Sequence, residues 1–207
     1  RADLADDEVI QEFLHQLGGS VGTIEDIFVA TEVRFVAVAV AAAGVALLLR
    51  LVGAERGGLG EVVLTTPVSR TRWYAAHVVV SLVLVTVLMA LFGVVLGLVG
   101  SAVSPLGPSV GAVVAASLAT APAVWVVVGV TAFLCGTSPR FAPFAWGVLL
   151  VAFVVGELGT TMRLPSWVID ASPFAHLSQL PGGEFERASA VALTLLAAVL
   201  IVAGWAA

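Results

Sequence analysis

Charged side chains and apolar residues alternate most closely in Glu55–Arg72, ERGGLGEVVLTTPVSRTR. Five charges of both signs, Glu55, Arg56, Glu61, Arg70 and Arg72, are interleaved with Leu59, Val62, Val63, Leu64 and Val68. Such a segment reads as a short amphipathic helix lying at a membrane surface, with an ordinary loop between two spans as the alternative; fixed charges beside the apolar strip would also suit a protein groove. Catalysis finds no such support. Every basic residue is arginine, so the chain has no G-x-x-x-x-G-K-[ST] phosphate loop, and it contains neither H-E-x-x-H nor G-x-S-x-G. His15, His77 and His176 lie far apart in sequence, and the single Cys135 allows neither an internal disulfide nor a cysteine metal cluster. The expectation is a chain with no catalytic residue, no metal and no cofactor of its own.

The composition says what positions this segment. The chain is 60% hydrophobic and 11% charged, where a soluble domain averages roughly 25% charged residues. Such a chain cannot cover a soluble globule with polar surface, and it reads as an all-α polytopic membrane protein. Without a basic patch it is not a nucleic-acid binder. Five apolar runs can span: about 31–52, 73–100, 109–135, 141–158 and 188–207. About 20 residues at 1.5 Å each make ~30 Å, one hydrocarbon thickness.

The pieces between the runs carry the punctuation. Residues 1–30 are acidic and amphipathic, with Ile10, Phe13, Leu14 and Leu17 on one helical face, Gly18-Gly19 as a stop and Thr23 as a cap for the next helix. Thr65-Thr66-Pro67 ends a short helix within 53–71, and Ser69 caps the restart through Trp73. Small residues such as Ala37, Ala39, Ala41 and Ala43 in the first span, and Gly93, Gly97 and Gly100 in the second, are close-approach faces. Pro122 should kink the third span, and Ser138 can cap a helix opening at Pro139. His77, one turn into its span, is expected to be satisfied by a neighbouring carbonyl or a lipid headgroup, with a proton relay as the minor reading, and Trp125 to sit in the core. Residues 159–187, broken by prolines and too short to span, read as a re-entrant or interfacial pair of short helices.

Two motifs carry a family resemblance. Glu55-Arg56-Gly57, Glu61, Leu64, Pro67 and Ser69-Arg70 match E-R-G-x-x-x-E-x-x-L-x-x-P-x-S-R, and Ser172-Pro173-Phe174-x-His176 followed by Leu180-Pro181-Gly182 and Phe185 matches S-P-F-x-H-x-x-x-L-P-G-x-x-F. Both resemble the permease subunits of ABC-2-type ABC transporters, in the actinobacterial antibiotic and multidrug (tetronasin-type) export branch. Gly58 to Gly60 depart from the bulkier residues usual there. The resemblance implies the ABC-2 transmembrane fold, the five runs being spans two to six of a six-span half. It implies that 53–71 is a cytoplasmic coupling helix docking through Glu55, Arg56, Leu59, Glu61, Leu64, Pro67 and Arg70 on a nucleotide-binding subunit that holds ATP and Mg. It implies further partners: a second transmembrane half, on the same or a separate chain, and a hydrophobic small-molecule cargo. The first and fourth runs then border the substrate path, with Ala39, Ala43, Phe153, Val154 and Glu157, and with Phe174 and His176 at the outer mouth.

Charge placement gives an orientation without the resemblance. Arg50, Arg56, Arg70, Arg72 and Arg140 fall in short loops on one side, whereas Arg1, Arg163 and Arg187 lie with most of the acids on the other. The positive-inside rule makes the Glu55–Arg72 side cytoplasmic, with 1–30 and 159–187 outside a bacterial plasma membrane. The chain begins at Arg1 and ends within an apolar run, so a longer permease is expected. The functional expectation is the permease subunit of an ATP-driven exporter of apolar compounds. An ATP-independent secondary transporter or channel is the alternative, although no charge is buried mid-span for ion coupling. A structural or assembly protein is a third.

Overall fold

The computed structural model describes residues 24–56, 70–103, 107–138, 140–177, 180–181, 183 and 185–206. These form helices α1 (Ile24–Arg56), α2 (Arg70–Val103), α3 (Val110–Thr137), α4 (Phe144–Leu158), the single turn α5 (Ser166–Ile169), a 3₁₀ turn (Pro173–His176) and α6 (Arg187–Ala206). Four helices, α1, α2, α3 and α6, are long and apolar enough to cross a membrane, and α4 is a shorter apolar helix. The chain is therefore all-helical and multi-pass.

The helices outrun the apolar runs. The first apolar run begins near residue 31, and the helix that carries it starts earlier, where Thr23 was read as a cap: α1 is one helix of 33 residues from Ile24, with Glu25 and Asp26 in its first turn. Acids at a helix N-terminus are favoured by its dipole, and no glycine or proline separates them from the apolar stretch. Together with the 34 residues of α2 this gives lengths of ~50 Å each, well beyond a ~30 Å hydrocarbon core, so both must tilt or project. At 15 residues α4 is ~22 Å long. It starts at Phe144, later than the sequence suggests: Ser138 closes α3, and the chain turns through Phe141 N–H to Ser138 C=O (2.9 Å) and Phe144 N–H to Phe141 C=O (3.0 Å).

The hub is α3. Two-thirds of its most apolar stretch (67%) is buried, against 39, 28 and 17% for α1, α2 and α6. It packs most extensively on α6 and α2, and next on α1. Small residues set these distances. A Cβ on Gly97 would lie 2.9 Å from Val110 Cα, and one on Gly93 would lie 2.9 Å from Val114 Cα, so α2 meets the first turns of α3 backbone to backbone. On the other side Gly129 abuts Ala197, and Gly204 abuts Phe133 Cα. Ala37, Ala41 and Val45 of α1 are fully buried against this core. Pro122 lies inside a helix that continues past it.

Several polar side chains are settled locally or between helices, while Tyr74 Oη, Ser81 Oγ and Ser117 Oγ are buried with no hydrogen-bond partner among the described residues. His77 Nδ1 bonds the Trp73 carbonyl at 2.9 Å, and Thr131 Oγ1 donates to the Val127 carbonyl at 2.8 Å. Trp125 Nε1 of α3 donates to Thr86 Oγ1 of α2 at 3.0 Å, an interhelical bond, and Thr86 in turn donates to the Leu82 carbonyl at 2.7 Å.

The backbone contact at Gly97 generates a test. Gly97→Leu should destabilise the fold by ~1–3 kcal/mol through overpacking, whereas Gly100→Leu, where an added Cβ meets nothing within 4 Å, should be near neutral. Thermal unfolding of the two variants in detergent checks this, and equal midpoints would contradict the α2–α3 geometry.

Candidate functional site

The short segment between α4 and α6 folds back onto α4. The end of α4 is closed by a Schellman turn: Leu164 N–H bonds Gly159 C=O (2.9 Å), Arg163 N–H bonds Thr160 C=O (3.1 Å), and Arg163 takes the left-handed conformation (φ 52°). Pro165 then sets the extended entry to α5. Ser172 is the pin. Buried to 3% exposure, its Oγ donates to the Ala152 carbonyl of α4 at 2.7 Å and accepts the Phe174 N–H at 3.3 Å. Phe174 is fully buried, and the chain can approach because position 156 is glycine: a Cβ there would lie 2.8 Å from Phe174 Cβ and 2.9 Å from Ser172 Oγ.

A cavity of about 670 Å³ lies between α4 and α6, with α3 as its floor and the folded-back segment at one end. From α4 it is lined by Phe144, Gly147, Val148, Val151, Ala152 and Val155, positions that form one helical stripe. Val126, Val127 and Val130 of α3 and Leu196 and Leu200 of α6 form the other walls, and Val168, Ala171, Ser172 and Pro173 line one end. Its size is that of small-molecule sites, commonly ~300–1,000 Å³, and its lining is apolar. A second cavity of about 420 Å³ continues from it, sharing Val126, Ala171, Ser172, Pro173 and Leu196 and adding Asp170, His176, Ala188 and Ser189. His176 is half-buried, and its Nδ1 faces the Ser172 carbonyl at 3.2 Å.

The residues singled out in the sequence are dispersed. Ala39 is exposed and Ala43 half-buried on α1. Phe153 meets Phe35 of α1 edge-on, with ring centroids 6.1 Å apart, and Val154 is half-buried. None of these four lines the cavities, whereas His176 does. Glu157 is half-buried near the end of α4, and its Oε1 is buried with no hydrogen-bond partner among the described residues. Glu55 and Arg56 lie on the last turn of α1, and Arg70 opens α2. Leu59, Glu61, Leu64 and Pro67 lie outside the described residues. Sequence reasoning missed the α3 and α6 walls and Asp170. Its one available signal was the stripe 147, 148, 151, 152 and 155 on α4, small or β-branched throughout.

Among the described residues no cluster of His, Cys, Asp or Glu can hold a metal ion. A multi-pass helical protein with an apolar groove of ligand size, open on the side of the exposed Phe144, Val151 and Leu196, is the class that fold and site define. The chain belongs to the family of the C-terminal domain of the multidrug efflux system permease Rv1217c, whose family model matches residues 2–207. It is 34% identical over 202 residues to the multidrug efflux system permease protein Rv1217c of Mycobacterium tuberculosis, covering 97% of this chain and 37% of that relative. The chain thus spans little more than a third of the length of the curated relative it matches.

The pin at Ser172 can be tested alone. Ser172→Ala removes the bond to Ala152 and the acceptor for Phe174 N–H, at a cost of ~1–3 kcal/mol. Hydrogen exchange at the Phe174 amide should speed up by about tenfold or more, with a lower thermal midpoint. Unchanged protection would show that Phe174 packing alone holds the segment down.

Proposed function

We propose that this chain is transmembrane machinery of an ABC-2-type exporter of hydrophobic compounds, antibiotics and drugs among them, driven by ATP hydrolysis on a separate nucleotide-binding subunit. The observation that carries the reading is the E-R-G signature in its setting. Its first residues end one long apolar helix, its Arg70 opens the next, and the chain belongs to a multidrug efflux permease family. On this reading residues 53–71 are the coupling segment on the cytoplasmic side. The family's ABC-2 fold counts α1, α2, α3, α4 and α6 as spans two to six. A second transmembrane half completes the pathway, and ATP and Mg stay on the partner subunit.

The chemistry of coupling follows from the residue types. Leu59, Val62, Val63 and Leu64 give a strip that fills a groove, while Glu55, Arg56 and Glu61 fix its register through charged pairs worth ~1 kcal/mol or more each when partly desolvated. Rocking of the partner on ATP binding is passed as a rigid-body movement to α1 and α2, which flank the segment. Ala39, Ala43, Phe153, Val154, Glu157, Phe174 and His176 are the proposed border of the path. Bulky substitutions at Ala39, Ala43, Phe153 and Val154 should therefore alter efflux of at least one compound.

Two experiments test the reading. In the full-length permease, Glu61→Ala and Arg56→Ala should leave insertion intact but lower recovery of the ATPase complex, with stimulated hydrolysis and efflux falling together by several-fold; Glu12→Ala is the control. Parental behaviour in all three would reduce the segment to an ordinary loop. For orientation, with Cys135 replaced by alanine, a cysteine in place of Ser69 should be shielded from an impermeant thiol reagent in intact cells, and one in place of Gly183 should react. The reverse pattern contradicts the proposed sidedness.

A further inference from the structure

The two cavities share five lining residues and so adjoin at Ala171, Ser172 and Pro173, with linings of different chemistry. The larger part runs along α4 from Phe144 to Val155, about 16 Å at 1.5 Å per residue, and offers apolar side chains for nearly its whole length. The smaller part ends at Asp170, His176 and Ser189. Asp170 offers carboxylate acceptors there. Asp170 is an exposed carboxylate with no ion pair or hydrogen bond from its side chain among the described residues. His176, with Nδ1–H donating to Ser172 C=O at 3.2 Å, keeps Nε2 as an acceptor in its neutral form. Glu186 and Arg187, just before the first α6 lining residue, Ala188, carry opposite charges.

We infer that this cleft binds an amphiphilic amine, with its apolar body between α4 and α6 and its protonated head at Asp170 and His176. Calling that amine cargo rests on the export reading; the binding itself does not. The polarity of the ends selects the head group. An ammonium donates to both acceptors, and beside an apolar wall its attraction to Asp170 is screened less than in open water. A carboxylate, sulfonate or phosphate head meets Asp170 as a like charge. A resident zwitterionic lipid is disfavoured for the same reason, since its phosphate sits next to its ammonium.

Gly147 permits a clean test. It lines the cavity, and a Cβ there would meet nothing within 4 Å, so Gly147→Trp fills the cleft without forcing the bundle apart, and any residue larger than glycine favours the helix. The full-length permease, in nanodiscs of phosphatidylcholine, is photolabelled with a diazirine-bearing dodecylamine and with the same chain ending in a carboxylate, and adducts are mapped by mass spectrometry. The amine should label residues 147–155 saturably against unlabelled dodecylamine. Labelling should fall at least fivefold in Gly147→Trp, whose thermal midpoint should stay at the parental value. It should fall about three- to tenfold in Asp170→Asn, the range of one partly exposed charge-assisted contact, and the carboxylate should label weakly in all. Adducts spread over outward residues such as Val83 and Leu91 without excess at the cleft overturn the site. Equal labelling by amine and carboxylate, with Asp170→Asn unchanged, overturns the head-group assignment. Loss of labelling when phosphatidylethanolamine is added makes the occupant a lipid and overturns the cargo assignment. Labelling requires no ATPase: intact ATP-driven export without cleft labelling defeats this inference alone, and cleft labelling without ATP-driven export defeats the export reading and the word cargo while leaving the amine site.

Discussion

Close backbone approach around α3 is the constraint on which the rest of this structure depends. Helices surrounded by lipid gain little from hiding apolar side chains from one another, because lipid tails are equally apolar, so association rests on van der Waals fit and a few hydrogen bonds. Here the fit is made by residues without bulk. Gly93 and Gly97 bring α2 onto the start of α3, Gly129 and Gly204 bring α6 onto its middle and end, and Gly44 sits where Val85 and Val128 converge. The bond from Trp125 to Thr86 fixes the rotation of α3 against α2. Three helices held this tightly to a fourth form a rigid frame.

The cleft is what that frame leaves unfilled. α6 is drawn against the second half of α3 by its glycine contacts, while α4 touches α3 much less and leans on α1 through Phe35 and Phe153. One end of the gap between α4 and α6 is lined by Ala171, Ser172 and Pro173, and Ser172 ties that segment to α4 through a short hydrogen bond. A rigid frame with one lightly attached helix is an arrangement in which rigid-body movement of a neighbour can change cavity size without unfolding anything.

Much of this was legible in the sequence, for identifiable reasons. Long apolar runs point to helices, since a helix satisfies every backbone group within its own segment, and four of the five runs are helices long enough to cross a membrane, the fourth run being shorter. The close-approach role of Gly93 and Gly97 and the carbonyl partner of His77 follow from local spacing. The start of α1 was legible as well, since Thr23 as a cap with Glu25 and Asp26 in the first turn points to Ile24, whereas α4 opens at Phe144 and not near residue 141. Gly100, third in the glycine series, faces open space, because a repeat cannot say where the partner helix ends. The cleft was not legible, since its walls are the same valines, alanines and leucines as everywhere else in the chain. Only the tertiary arrangement separates Val151, which lines the cavity, from Phe153 and Val154, which do not.

The central claim, that movement in this bundle is driven by ATP on another subunit, is tested most directly by reconstitution. The full-length permease, with and without the proposed ATPase subunit, is sealed into liposomes and supplied in turn with ATP and with an imposed proton gradient. Accumulation of a fluorescent drug that requires both ATP and the ATPase, and is indifferent to the gradient, is the result predicted. Accumulation by the permease alone, driven by the gradient, would contradict it and make the protein a secondary transporter.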